Sequence, residues 1–197
     1  MANFQKALEI TLKHEGGFTI DQGGKTKFGI SQNANPGIDI ENLTIAQAGD
    51  IYKKKYWNPI QADLIKSEKL AQVYFDMAVN LGTGQATKLL QRVLNMNGAK
   101  LAVDGGMGPG TLAAMNKLGN SIADSLILER IKFYNNLVAM DPQKYSSSLK
   151  GWLKRANSFF DDGRAMITGK ANKSIMIPIA ISAALVGAWW ITKRMRG

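Results

Sequence analysis

The sequence predicts a mainly α-helical body with one small β-hairpin, followed by a C-terminal transmembrane helix. Three observations point that way. Apolar residues recur at helical spacing through most of the first 167 positions. Turn-forming residues crowd around a short extended stretch between Asp21 and Ser31. Near the end, Ile175 to Ile191 is an apolar run of 17 residues broken only by Pro178, Ser182 and Gly187.

Phe4, Leu8 and Leu12 mark the buried stripe of a first helix, and Gly16-Gly17 stop it. Asp21-Gln22-Gly23-Gly24 and Phe28-Gly29-Ile30 are turn signals flanking the hairpin. Residues 33–42 read as irregular. Thr44 caps a helix through Ala46, Ile51 and Tyr52, and Ser67 caps one with Leu70, Val73, Tyr74 and Met77 on a single face, closed by Gly82. Residues 84–97 carry Leu89, Leu90, Val93 and Leu94 at helical spacing; 104–109 form a loop, and Thr111 opens a short helix. Ser121 to Met140 is a long helix with Ile122, Leu126, Ile127 and Leu137 on its apolar face. Leu149 to Ile167 closes the body with Trp152, Ala156 and Phe159 inward.

The chemistry concentrates near the start. Glu15 continues the Phe4-Leu8-Leu12 stripe, so the helix aims a carboxyl group along its buried face, where a charge is costly unless paired or neutral. It also lies at the negative end of the helix dipole. Both effects favour the protonated form that a general acid needs near neutral pH. Two readings of the residue stand at this point: such an acid, or a solvated glutamate in a terminal turn. Asp21 is either a carboxylate that holds a water opposite Glu15 or a turn starter, and Thr26 is either its helper or an ordinary strand residue.

Composition excludes other chemistries. There is no cysteine, so there is neither a disulfide framework nor a thiolate nucleophile. His14 is the single histidine, and no carboxylate group has ligand spacing, so no metal and no cofactor are expected. No phosphate-cradling glycine motif occurs. Of the 25 basic residues, six fall in the last 35 positions, which hold no acid, so much of the net charge of +10 belongs to the tail. The Lys53-Lys54-Lys55 run between aromatics reads as a solvated helix face, and no nucleic-acid partner is expected.

The segment from Glu15 to Ser31 resembles the Glu-Gly-Gly-aromatic and Asp-x-Gly-Gly-x-Thr-x-aromatic-Gly-Ile signature of glycoside hydrolase family 108, the phage and bacterial N-acetylmuramidases. Tyr52, Tyr56 and Trp57 resemble its Tyr-x-x-x-Tyr-Trp element, and Phe75-Asp76-x-Ala78-Val79-Asn80-x-Gly82 its central helix. Gln91 with Leu94, then Val103-Asp104-Gly105-x-x-Gly108-Pro109-x-Thr111-Leu112, is similar to the associated peptidoglycan-binding region. The Thr19-Ile20 connection is shorter than the family's. The resemblance covers about residues 1–165.

It implies a lysozyme-like α+β fold and hydrolysis of the β-1,4 bond between N-acetylmuramic acid and N-acetylglucosamine in peptidoglycan. Glu15 would be the general acid, and Asp21 and Thr26 would flank the attacking water, an arrangement suited to inversion. Trp57 and Asn80 are the candidates for sugar contact; for Trp57, core packing is the competing reading. The organisation implied is a catalytic region over 1–82, a helical peptidoglycan-binding-like region over 83–167 in the same domain, a linker over 168–174, the membrane span over 175–191 and a basic tail over 192–197. The alternatives are a non-catalytic wall-binding structural membrane protein of a virion and a lytic transglycosylase.

The tail sets the expected location. At about 1.5 Å per residue the run covers about 25 Å, close to a bilayer core. Trp189-Trp190 suits an interfacial belt, and Lys193, Arg194 and Arg196 follow it. A buried core helix is the competing reading. A single-pass anchor in the lipid bilayer is expected, either in the bacterial inner membrane facing the periplasm or in the membrane of a lipid-containing virion.

Overall fold

A computed structural model describes residues 2–15, 19–21 and 24–160. Residues 1–159 make one unit, mainly helical with a small sheet. Helix α1 (Phe4–Glu15) comes first. Its fully buried positions are Ala7, Leu8 and Thr11, while Leu12 and Glu15 are half-buried, so the inward stripe is rotated slightly from the expected one. Three antiparallel strands follow: β1 (Thr19–Asp21), β2 (Gly24–Lys27) and β3 (Ile30–Ser31), in the order β1-β2-β3. The expected hairpin is therefore two consecutive hairpins. Strands β1 and β2 pair as far as position 21 with Gly24, and the Phe28-Gly29 turn adds β3.

Helix α2 (Ile45–Tyr52) begins at the expected cap. Gln47 N–H donates to Thr44 Oγ1 at 3.2 Å while Thr44 N–H donates to Gln47 Oε1 at 2.9 Å, a reciprocal box that satisfies two otherwise orphaned donors. The chain then widens into a single π turn, Lys53–Trp57. Helix α3 (Glu68–Leu81) is capped by Ser67, whose hydroxyl accepts from Leu70 N–H at 3.0 Å. It is the central element, buried from Leu70 to Ala78. Gly82, at φ +81, ends α3 and starts α4 (Thr83–Met96). Only a residue without Cβ turns there cheaply.

The remaining helices are α5 (Pro109–Leu118), α6 (Ala123–Met140) and α7 (Pro142–Asn157). Helix α7 starts seven residues before the expected Leu149. Asp141 caps it by accepting from Lys144 N–H at 3.1 Å, and Pro142 occupies the first turn, where its missing N–H costs nothing. The core is aromatic at its centre. Phe4, Trp57 and Phe75 meet edge to face at centroid separations of 5.2, 5.9 and 5.3 Å, each pair contributing about 0.5–1.5 kcal/mol beyond area burial.

One expectation is corrected. Among the described residues no helix is long and apolar enough to cross a membrane, which overturns the single-pass anchor and the membrane location drawn from it. The longest helix, α6, has 18 residues but carries Asp124, Glu129, Arg130 and Lys132. The segment 175–191 lies outside the described residues.

Candidate active site

Four ionisable side chains, each on the inward stripe of a different helix, converge beside the sheet. Glu15 ends α1, Asp76 lies in mid-α3 next to Phe75 and Met77, Arg130 follows Leu126 and Ile127 on α6, and Arg155 sits beside Ala156 on α7. Asp76 is completely buried. It accepts from Arg130 Nη1 at 2.8 Å, from Arg155 Nη2 at 2.8 Å and Nε at 3.0 Å, and from the Thr11 hydroxyl at 3.3 Å. Burial alone pushes the Asp76 carboxyl up, but the two guanidinium groups outweigh it and hold it below the usual carboxylate range.

Arg155 divides its fork between two carboxylates. The Nε–Nη2 edge grips Asp76, while Nη1 pairs with Glu15 Oε1 at 2.7 Å. Burial pulls the guanidinium toward neutrality, but Asp76 and Glu15 reverse that pull and keep it charged. The network continues from Arg130 Nε to the Tyr134 hydroxyl at 2.6 Å, and from that hydroxyl to Asn80 Oδ1.

The sheet closes over Glu15 from the other side. Gly29, at φ +72, packs so tightly that a Cβ there would stand 2.6 Å from Glu15 Oε2 and 2.6 Å from the Tyr52 hydroxyl. Tyr52 donates to the Phe28 carbonyl at 2.8 Å, pinning a turn whose Phe28 has the left-handed φ of 52° that non-glycine residues seldom adopt. Burial, and after it the neighbouring Glu15, pushes the Tyr52 and Tyr56 phenols above their ordinary values, so both stay neutral donors. Glu15 itself keeps a side-chain exposure of 18%, enough for an approaching ligand to touch.

In β2, Lys25 reaches Glu41 Oε2 at 2.6 Å and Lys27 donates to the Glu41 carbonyl at 2.8 Å, so both lysines share one face. Thr26 belongs to the opposite face, with Thr19 and Ser31 across from it in register. Position 21 pairs with Gly24 at the first turn. Asn80 is half-buried and joins the network through Tyr134. Trp57 departs from its expected sugar-stacking role: it is fully buried between Phe4 and Phe75, and its indole N–H donates to Asp63 Oδ1 at 2.7 Å. The three other members of the charge network, Asp76, Arg130 and Arg155, were not singled out as ionisable site residues from sequence. The available signal was a charged residue on an apolar stripe, the same signal that marked Glu15.

Further along the chain, buried Gln91 organises the loop after α4. Its Nε2 donates to Asp104 Oδ1 at 2.8 Å and to the Gly106 carbonyl at 3.1 Å, and its Oε1 accepts from Gly105 N–H at 3.0 Å. Gly105 (φ +84) lies against the Gly84 carbonyl, which a Cβ would approach to 2.8 Å. These contacts frame a shallow pocket between Leu101 and Thr111.

Comparison with known proteins bears on this arrangement. Residues 8–82 match the family model described as Glycosyl hydrolase 108, and residues 85–157 match the one described as Predicted Peptidoglycan domain. Together the two matches support a peptidoglycan hydrolase. The solved structure titled "Structure of Brucella abortus SagA" is 27% identical with a TM-score of 0.58, the alignment covering 81% of this chain and 97% of that one. No curated protein matches the chain. The glycosyl hydrolase match contains Glu15 and Asp76, while Arg130 and Arg155 lie in the peptidoglycan-domain match, so one buried charge network joins the two.

Proposed function

We propose that the protein is an N-acetylmuramidase in which Glu15 is the general acid. The observation that carries this reading is the contact between the Phe28–Gly29 turn and the Glu15 carboxyl group, which sets a half-exposed acid beside the sheet that bears Thr26 and position 21. With the glycosyl hydrolase match over these same residues, the corner has the parts for a single displacement at a sugar carbon.

In that displacement Glu15 delivers its proton to the glycosidic oxygen as the bond to the anomeric carbon lengthens. A water held by Asp21 and Thr26 attacks from the opposite side of the ring and loses its proton to Asp21. The leaving sugar departs with a free hydroxyl, the new hemiacetal carries inverted configuration, and both carboxyl groups return by exchange with solvent. Asn80, oriented by Tyr134, is the remaining candidate for contact with the sugar. The peptidoglycan-domain match supplies the reason to expect the bacterial wall as the partner.

Digestion of purified peptidoglycan followed by mass spectrometry tests the reading. New reducing ends on N-acetylmuramic acid are expected. Reducing ends on N-acetylglucosamine would make it a glucosaminidase, 1,6-anhydro ends would make it a lytic transglycosylase, and absence of products would make it a wall-binding protein.

A further inference from the structure

Among the described residues, Arg155 is the side chain that pairs with both Glu15 and the buried Asp76. The division of its fork is specific. The Nε–Nη2 edge is fixed on Asp76, which is itself fixed by Arg130 and Thr11. The planar group cannot rotate without breaking those bonds, so Nη1 arrives at Glu15 Oε1 along a set direction. Oε2 lies against Gly29. The two oxygens of the carboxyl group are therefore inequivalent: Oε1 faces a cation, and Oε2 faces the Phe28–Gly29 turn.

We propose that Arg155 is a positioning residue for the proton transfer: it holds Oε1 of Glu15 so that the proton is carried on Oε2, and it stabilises the carboxylate that forms as the proton leaves. The inference rests on Glu15 being the acid. Its chemistry is that of a preorganised charge aimed at where charge develops, and it requires no movement during the reaction. It also gives the two matched regions a shared purpose, because α7, in the peptidoglycan-domain match, completes the acid that α1 supplies.

The test compares Arg155→Gln, Arg155→Lys and Ser67→Ala with the wild type, using the full chain on purified peptidoglycan. Ser67→Ala removes the cap of α3; its hydroxyl bonds to Leu70 and Asn120, not to Glu15, Asp76 or Arg155. Arg155→Gln removes the cation and is expected to lower kcat on the order of 10²-fold with KM little changed. Arg155→Lys keeps a charge but cannot serve both carboxyl groups, so it also loses kcat with KM little changed. Ser67→Ala lowers the melting temperature and leaves both constants at their wild-type values. Wild-type kcat in both Arg155 variants would overturn the proposal, as would an equal loss of kcat in Ser67→Ala, which would mark the effect as loosened packing. If Arg155→Gln does not fold, Arg155→Lys decides through kcat alone, and retained turnover refutes the role. Glu15→Gln run alongside separates the two levels: if it stays active the acid assignment fails, whereas a dead Glu15→Gln beside unaffected Arg155 variants refutes only this inference.

Discussion

Replacing Asp76 by Asn is the sharpest perturbation of the fold. The change keeps the shape and removes one charge, so it opens no cavity and isolates the electrostatic contribution. In the native protein the Asp76 side chain is fully buried, with Arg130 1% and Arg155 10% exposed in their side chains. Two guanidiniums would then face a neutral amide that offers one acceptor where the carboxylate offered several. Breaking a buried pair by removing one partner costs about 3–5 kcal/mol. Spread over a chain of this size, that lowers the melting temperature by about 6–20 °C. Circular dichroism or differential scanning fluorimetry at neutral pH reads it directly. The pH dependence adds a second check. Because the Asp76 carboxyl is depressed in the folded state, its contribution is complete above the unfolded value of about 3.9 and is lost as pH falls through the folded value. The gap between wild type and Asp76→Asn should therefore narrow only in strong acid. A shift below about 3 °C at neutral pH, or a gap that closes already near pH 5, would refute the reasoning.

Other expectations follow from single contacts. Gly29→Ala pushes a methyl group into Glu15 Oε2 and the Tyr52 hydroxyl and adds about 1–2 kcal/mol of left-handed strain, so a loss of turnover on the order of 10²-fold should accompany a melting decrease of only a few degrees in a turbidity-clearing assay. Gln91→Leu strands the Gly105 N–H and the Gly106 carbonyl and should cost about 1–3 kcal/mol by chemical denaturation. Burial depresses the His14 imidazole, with Arg155 and Arg130 adding to that and Asp76 opposing it, so its contribution is whole above about pH 6.5 and fades below. His14→Gln should flatten the stability profile between about pH 7 and 5, measured by melting temperature across buffers.

Much of this was legible beforehand because it is local. The caps at Thr44 and Ser67, the Gly82 break and the Phe28-Gly29 turn are short-range chemistry, and each forms where the residues indicate. The start of α7 was missed although Asp141-Pro142 is a cap followed by a first-turn proline; the apolar pattern that sets in at Leu149 outweighed it. The site was half legible. Glu15 stands out as a carboxyl group on an apolar stripe, and Asp76, Arg130 and Arg155 stand on such stripes too, but which of them meet depends on how α1, α3, α6 and α7 pack, and no periodicity encodes that. Trp57 shows the opposite failure. An indole suits a sugar face and a core equally well, and the aromatic triad with Phe4 and Phe75 decides for the core.

The central claim is that Glu15 donates the proton. Turnover of purified peptidoglycan by Glu15→Gln, measured beside wild type on samples whose melting temperatures show both are folded, tests it most directly. The amide keeps the shape but has no acidic proton, so activity should fall by at least about 10²-fold with wall binding retained. Wild-type turnover from a folded Glu15→Gln protein would contradict the account.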